Sequence, residues 1–379
     1  MHLIQLHNRK RHGGGDSVAY ARTCAILRGH GQAVTEWTAE TPRISLNVRD
    51  KLLLLQRSLY SMTVARDLDA LLSGAGPHIL HVHNLFPNFS PAVLLQARRR
   101  RIPRVFHCHN FRLTCPVETH FYQRRTCRKC LDRGVVMCLL HNCRGDLAES
   151  AAYALQSAMA RRLGIARGLI DAYIAPTRFT RDWLLAAGIP AEKLFVLPYP
   201  VPAPESAADP ALNTYAAFAG RISPEKGLDT LLAAQEMTGL PLQIAGMAAE
   251  NPSAANVTWR GFLQGAELDA FYRRARFLVV PSLWFETFGL VAGEAMAHGI
   301  PVIASRIGAM SELVEDGRTG LLFSPGNPDE LAALMLRLWD DADLCRRLGK
   351  AGREKILGLC HPDIYYAGLM SVYEKVLGG

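Results

Sequence analysis

Short apolar runs recur along the chain, and between them lie longer stretches whose apolar positions are spaced three and four apart. Runs at residues 2–6, 78–83, 104–109, 172–175 and 195–197 are brief, β-favouring and bounded by turn residues, which predicts buried strands. The same pattern returns at 215–219, 242–246, 257–262, 277–280 and 301–304. Helical spacing occupies 18–28, 93–99, 148–163 and 181–187, then 329–338 and 341–355. Strands alternating with helices predict parallel, doubly wound sheets. The run Pro198, Pro200, Pro202, Pro204 and Pro210, with Ala and Ser between, reads as the linker between two such halves.

The stretch 277–314 is the most informative. A strand closes at Pro281-Ser282, a helix opens near Phe288 or Gly289 and stops at Gly299, and another strand follows. A helix N-terminus at the carboxyl end of a strand is where open α/β sheets bind ligands, and its amides favour an anion. Two carboxylates flank that place, Glu286 ahead of the helix and Glu294 inside it, on a helix apolar almost all round. Eight helical steps cover roughly 12 Å at ~1.5 Å per residue, about the separation of the two sugar rings of a nucleotide-diphosphate sugar. A phosphate over the amides of Phe288, Gly289 and Leu290 would leave one carboxylate for each ring. The plainer alternative makes Glu286 a residue favoured by the helix dipole and Glu294 a solvated position.

The length of 379 residues suits two domains, each with its own core. No apolar run reaches the ~18 residues that span a bilayer, and the chain enters its first strand without a signal-peptide pattern. Nine cysteines without secretory features suggest a reducing compartment, hence a cytoplasmic protein. The net charge of +9 is uneven: residues 1–200 carry 28 Lys and Arg against 13 Asp and Glu, residues 201–379 carry 15 against 21. A basic first half implies an anionic partner there: a membrane surface, a lipid phosphate or a nucleic acid. Arg98 to Arg101 and Arg9 to Arg11 are its densest points.

Three further features carry candidate chemistry. Gly13-Gly14-Gly15 sits at a strand-to-helix turn, where glycines let amides approach a phosphate or sugar; a tight structural turn is the alternative. His83 and His109 each close a strand and are followed by Asn. Between Cys115 and Cys143 lie five cysteines, including the pair Cys127-Arg128-Lys129-Cys130. Such a pair lets two thiolates share a metal, and four around a structural zinc would staple a loop with little apolar content. Arg125, Arg128 and Lys129 would help lower the thiol pKa values. Free buried thiols and a regulatory disulfide are the alternatives.

At these residues the chain resembles the retaining glycosyltransferases of family 4, with the GT-B fold. The hallmark is Glu286, Phe288-Gly289-Leu290 and Glu294-Ala295-Met296-Ala297, continuing through Gly299-Ile300-Pro301 to Glu312-Leu313-Val314. A second signature is Gly220-Arg221 followed by Lys226-Gly227. The string His109-Asn110-Phe111-Arg112-Leu113-Thr114-Cys115-Pro116 resembles one branch, in which Asn replaces the usual Asp after the histidine. The resemblance implies two Rossmann-like doubly wound domains facing each other across a cleft. Residues 1–200, with a cysteine-rich insertion at 115–143, would bind the acceptor and 201–360 the nucleotide sugar, with 361–379 crossing back to the first domain. It implies a metal-independent hexosyltransferase with His109, Arg221, Lys226 and Glu286 as catalytic residues. Donor binding falls to Gly14, Gly15, Arg221, Lys226, Glu286, Phe288, Gly289, Leu290 and Glu294. Arg221 and Lys226 would offset diphosphate charge; otherwise they are ordinary basic residues of a solvated loop. The branch also carries Cys-Pro, Cys-x-x-Cys and a later Cys element, which selects Cys115, Cys127, Cys130 and Cys143 as the zinc ligands and leaves Cys138 out.

The resulting expectation is transfer of a sugar from a nucleotide-diphosphate sugar to a glycan or lipid-linked acceptor, in bacterial surface polysaccharide synthesis. No cofactor is required, and the protein would be peripheral on the inner face of the plasma membrane. Nucleic acid is not expected as a partner, because the arginine run more plausibly ends a helix and faces solvent or membrane. A GT-B nucleotide-sugar epimerase, a basic nucleic-acid-binding protein and an inactive sugar-binding relative are the competing readings. The intact Glu286, Glu294, Arg221 and Lys226 argue against the last.

Overall fold

The computed structural model describes residues 1–9, 14–40, 55–72, 78–165, 168–247 and 255–378. The chain divides into two compact units. The first comprises Met1–His120, Cys127–Pro198 and Tyr365–Gly379; the second comprises Phe121–Thr126 and Tyr199–Ile364.

The first unit is built on a six-stranded parallel sheet of β1 (His2–Arg9), β2 (Ala33–Glu40), β3 (His78–Asn84), β4 (Arg104–His107), β7 (Ala172–Ala175) and β8 (Leu194–Val196). Its order is β2-β1-β3-β4-β7-β8. The intervening β5 (Phe121–Tyr122) and β6 (Arg125–Thr126) form a small antiparallel hairpin. Edge strand β2 was missed in the sequence because it is not a buried run: exposed and half-buried positions alternate along Ala-Val-Thr-Glu-Trp-Thr-Ala-Glu. Strand β4 is shorter than expected, ending at His107, so Cys108 and His109 lie beyond its end.

Successive side chains of a strand point to opposite faces, and that alternation sorts this sheet. Ile4, Leu6, Leu80, Val82 and Phe106 join one core. Leu3, Ile79, Val105, Ala172 and Ile174 join the other, together with Tyr365, Leu369, Val372 and Tyr373 of the last helix, Pro362–Leu377. Along the second face the strand positions turn polar towards their carboxyl ends. Leu3 is followed at two-residue steps by Gln5 and His7, Ile79 by His81 and His83, and Val105 by His107. All five of these polar side chains are buried.

The second unit carries β9 (Tyr215–Ala219), β10 (Leu242–Ala245), β11 (Val257–Gly261), β12 (Ala275–Val280), β13 (Val302–Ser305) and β14 (Gly320–Phe323). The parallel order is β11-β10-β9-β12-β13-β14, which counted from β9 is 3-2-1-4-5-6, the doubly wound order with its switch between the first and fourth strands. Helices Leu228–Thr238 and Pro328–Asp340 cover the core that includes Phe218, Ile244, Phe277, Ile303 and Phe323. Among the described residues no helix is long and apolar enough to cross a membrane.

Candidate functional site

In the second unit the switch point lies between β9 and β12, and both signature loops leave from the carboxyl ends of those two strands. The first runs from Gly220 to Gly227 and the second from Pro281 to Gly289. They are fastened together: the Leu283 amide donates to the Glu225 carbonyl at 2.8 Å. Gly227 is left-handed, with φ 69°, and a Cβ there would run into the Pro281 carbonyl. Only glycine fulfils both demands, which is the physical content of Lys-Gly at this turn.

The tie brings Lys226 to Glu286. Lys226 Nζ donates to Glu286 Oε1 at 2.7 Å, and Ser282 Oγ (2.7 Å) and Trp284 Nε1 (2.9 Å) donate to the same oxygen. The ammonium also lies 5.1 Å from the centre of the Trp284 ring. Glu286 is buried, and burial by itself would raise its pKa. The Lys226 charge and the three hydrogen bonds outweigh that, so the carboxyl stays below its usual range and is charged. None of the three donors falls on Oε2, which leaves that oxygen to accept another group. Arg221 is paired more loosely with Glu225 at 3.3 Å and remains half exposed.

The helix after this loop is Leu290–Ala297, with Gly289 as a left-handed N-cap at φ 95°. Phe288 is buried, and a Cβ on Gly289 would strike the end of Met310. The start at Leu290 corrects the helical distance drawn from the sequence. Only the steps from Leu290 to Glu294 rise along a helix, because Gly289 breaks the backbone between the two carboxylates. Glu294 is 5% exposed, so it is not a solvated position, and its Oε2 accepts from the Tyr272 hydroxyl at 2.8 Å. Ser282, Trp284 and Tyr272 were not singled out in the sequence. The first two stand inside the motif, but only the loop conformation turns them onto Glu286, and nothing local marks Tyr272.

The first unit holds Gly14, Gly15 and His109. Gly14 is the extended N-cap of helix Gly15–Gly29 and its carbonyl accepts from the Ser17 and Val18 amides. Lys10, Arg11 and Gly13 lie outside the described residues. His109 is 9% exposed. Its ring stacks on His107 at 4.4 Å and on His83 at 5.0 Å, and its Nε2 lies 2.8 Å from His83 Nδ1.

His81, His83 and His107 are the group among the described residues whose ligand atoms lie within 4.8 Å of one another. Their rings are nearly parallel, 26° apart for His81 and His83 and 3° for His81 and His107. Lone pairs in parallel planes run side by side and do not converge on an ion. Both nitrogens of His83 are also engaged, by His109 and by Gln5. Burial pulls the pKa of His81 and His83 well below the ordinary value and that of His107 down to about 3, so these rings are neutral.

The four cysteines named from the sequence share one neighbourhood, since Cys115, Cys143 and Cys127 each act electrostatically on the Cys130 thiol. Cys138, set aside in the sequence, is fully buried beside Cys130 and Ala154, with Cys143 packed against them. Short helices Lys129–Arg133 and Val136–Leu140 supply these positions. The basic neighbours do not lower the thiols in general. Burial raises Cys115 and pushes Cys130 up to about 12. Cys143 falls, to about 7, through the hydrogen bond from Cys138 and the Lys129 charge, which outweigh its partial burial.

Comparison with known proteins agrees with this division. Residues 18–200 match the family model described as Glycosyl transferase 4-like domain, and residues 209–355 match Glycosyl transferases group 1. An uncharacterized glycosyltransferase of Methanocaldococcus jannaschii is 36% identical over 146 residues, covering 36% of this chain and 41% of the relative. The chain spans less than half the length of the first curated relatives it matches. Among solved structures, sucrose-phosphate synthase from Thermosynechococcus elongatus matches with a TM-score of 0.71 at 19% identity, over 100% of this chain and 99% of the other. Anabaena HepE, solved with UDP and glucose, matches at 0.66 and 17% identity over 99% of both. The two parallel-sheet α/β domains thus have the GT-B fold.

Proposed function

This chain belongs to the GT-B glycosyltransferases of the 4-like and group 1 kind, and on that premise we propose that it transfers a sugar from a nucleotide-diphosphate sugar, with retention, to a glycan or lipid-linked acceptor. The observation that carries the reading is the Lys226–Glu286 pair at the switch point of the second sheet. An ammonium has three N–H donors, so Lys226 can keep Glu286 and still reach a phosphate. Arg221, half exposed next to it, adds a second cation. Two fixed cations offset the charge that grows on a leaving diphosphate, which is the task a divalent metal performs elsewhere. Glu286 Oε2 and the buried Glu294 are acceptors for sugar hydroxyls. The loop over Phe288, Gly289 and Leu290 and the Gly14-Gly15 turn offer backbone amides to the donor.

His109 takes part in the transfer step by stabilising positive charge at the reacting carbon and orienting the sugar. The acceptor is anionic and lipid-linked, as in bacterial surface polysaccharide synthesis, and is met at the cytoplasmic face of the membrane. Support for this comes from the charge imbalance and from Arg98 to Arg101, all exposed at the end of helix Pro91–Arg99.

A thermal-shift panel of nucleotides and nucleotide sugars tests the donor reading. Uridine diphosphate heads it because HepE, of the same fold, was solved with UDP. A ligand at 100 times its dissociation constant adds ~2.7 kcal/mol to stability. At least one nucleoside diphosphate should raise the melting temperature in the wild type and raise it clearly less in Glu294→Ala. No shift with any nucleotide sugar removes the reading.

A further inference from the structure

Gln5, His83 and His109 form one hydrogen-bonded row across neighbouring strands of the first sheet. Gln5 comes from β1, His83 from β3 and His109 from the turn after β4. His83 Nε2 lies 2.8 Å from Gln5 Oε1, and His83 Nδ1 lies 2.8 Å from His109 Nε2. Gln5 Nε2 in turn donates to the Tyr373 hydroxyl at 3.2 Å, and that hydroxyl meets His81 Nδ1 at 2.7 Å. Gln5 and Tyr373 are fully buried and His83 is 2% exposed.

The proton positions along the row follow from its chemistry. An amide oxygen only accepts, so His83 must carry its proton on Nε2. A neutral imidazole has one N–H, and burial among other histidines keeps His83 neutral. Its Nδ1 is therefore the acceptor, and His109 must donate from Nε2. When Tyr373 gives its proton to His81, it can only accept from Gln5. That turns the amide NH2 towards Tyr373 and the amide oxygen towards His83.

We propose that Gln5 and His83 are positioning residues that hold His109 in the Nε2–H tautomer and fix its ring plane, with Tyr373 of the last helix orienting the Gln5 amide. The inference rests on the reading of His109 as a participant in sugar transfer. The row fixes the plane of the ring and the nitrogen by which it donates, and so sets how His109 meets the sugar.

The tautomer is read directly by ¹⁵N-histidine NMR of the full chain, with no assay of activity. The Nε2–H pattern for His109 in the wild type is expected; an Nδ1–H pattern overturns the row. Kinetics supply the functional half through two variants of equal shape, His83→Asn and His83→Leu. Asn places an oxygen where Nδ1 was, and Leu does not. His83→Leu should lower kcat about tenfold with donor KM within about twofold, the scale of one lost hydrogen bond, while His83→Asn should stay within about threefold of wild type. Equal loss in both variants, or a loss carried wholly by KM, overturns the positioning role. If folded His109→Ala keeps full kcat, the transfer role of His109 fails, and the NMR pattern still decides whether the row exists.

Discussion

Lys226 Nζ and Glu286 Oε1, 60 residues apart in sequence, sit 2.7 Å apart, and both side chains are largely buried. Removing the cation leaves a buried carboxylate that Ser282 and Trp284 alone must hold, a loss of about 3 kcal/mol or more for a broken buried pair. Lys226→Ala should therefore be destabilised as well as slow. Because the folded pKa of Glu286 lies below its usual 4.5, the pair's contribution is full above that value and is lost as pH falls through the folded value. The stability gap between wild type and Lys226→Ala should accordingly be wide at neutral pH and close on acidification. A gap that does not change with pH in calorimetry contradicts the assignment.

Arg221→Ala, at a half-exposed residue, should behave differently. It should leave the melting temperature nearly unchanged and lower kcat, since the charge on the leaving diphosphate grows in the transition state. Steady-state kinetics beside a melting curve separate the two effects.

Glu294 and Tyr272 share a hydrogen bond of 2.8 Å. Glu294→Ala should weaken nucleotide binding by ~1.5–3 kcal/mol, as expected when hydroxyls lose a charged acceptor. Tyr272→Phe should weaken it by less, because the carboxylate remains and only its support is lost. Titration calorimetry with a nucleoside diphosphate checks the order of the two.

Gly227→Ala should cost roughly 1–2 kcal/mol from the left-handed backbone alone, and more from the collision with the Pro281 carbonyl. Because that collision separates the two signature loops, donor affinity should fall with stability. A variant that loses stability and binds nucleotide normally would show that the loops need not touch.

Arg98, Arg99 and Arg101 are exposed, whereas Arg100 is paired with Asp69 at 2.8 Å. Each basic residue near an anionic leaflet adds ~1 kcal/mol, screened by salt. Changing Arg98, Arg99 and Arg101 to Ser should sharply reduce co-sedimentation with anionic vesicles at low salt. Arg100→Ser should have a smaller effect. Equal recovery of all variants, or salt-independent binding, argues for a merely solvated face.

Much of this protein was legible in the order of its residues. Ten strands could be placed because buried parallel strands are continuous apolar runs with turn residues at both ends. The switch-point loop was legible because Glu286, Phe288-Gly289-Leu290 and Glu294 lie within nine positions of one another. The pairing of Lys226 with Glu286 was not, since it depends on Gly227 closing against Pro281. The helix start was misjudged by one or two residues, because the left-handed turn at Gly289 is a backbone state that composition does not reveal. Strand β2 was missed because Thr and Glu interrupt its apolar positions, and β14 (Gly320–Phe323) because it is only four residues long and opens on a glycine. Cys138 was left out of the cluster because the resemblance to one family branch selects the other four cysteines; two short helices bury it beside Cys130. Above all, Gln5, His83, His109 and Tyr373 span nearly the whole chain. His83 and His109 stood out only as strand-closing histidines, and Gln5 and Tyr373 not at all, until parallel strands laid the first three side by side and the last helix covered them. Local patterning determined which segments became strands and helices. Register and packing between distant segments decided which polar atoms meet, because a hydrogen bond depends on distance and direction that no single segment sets.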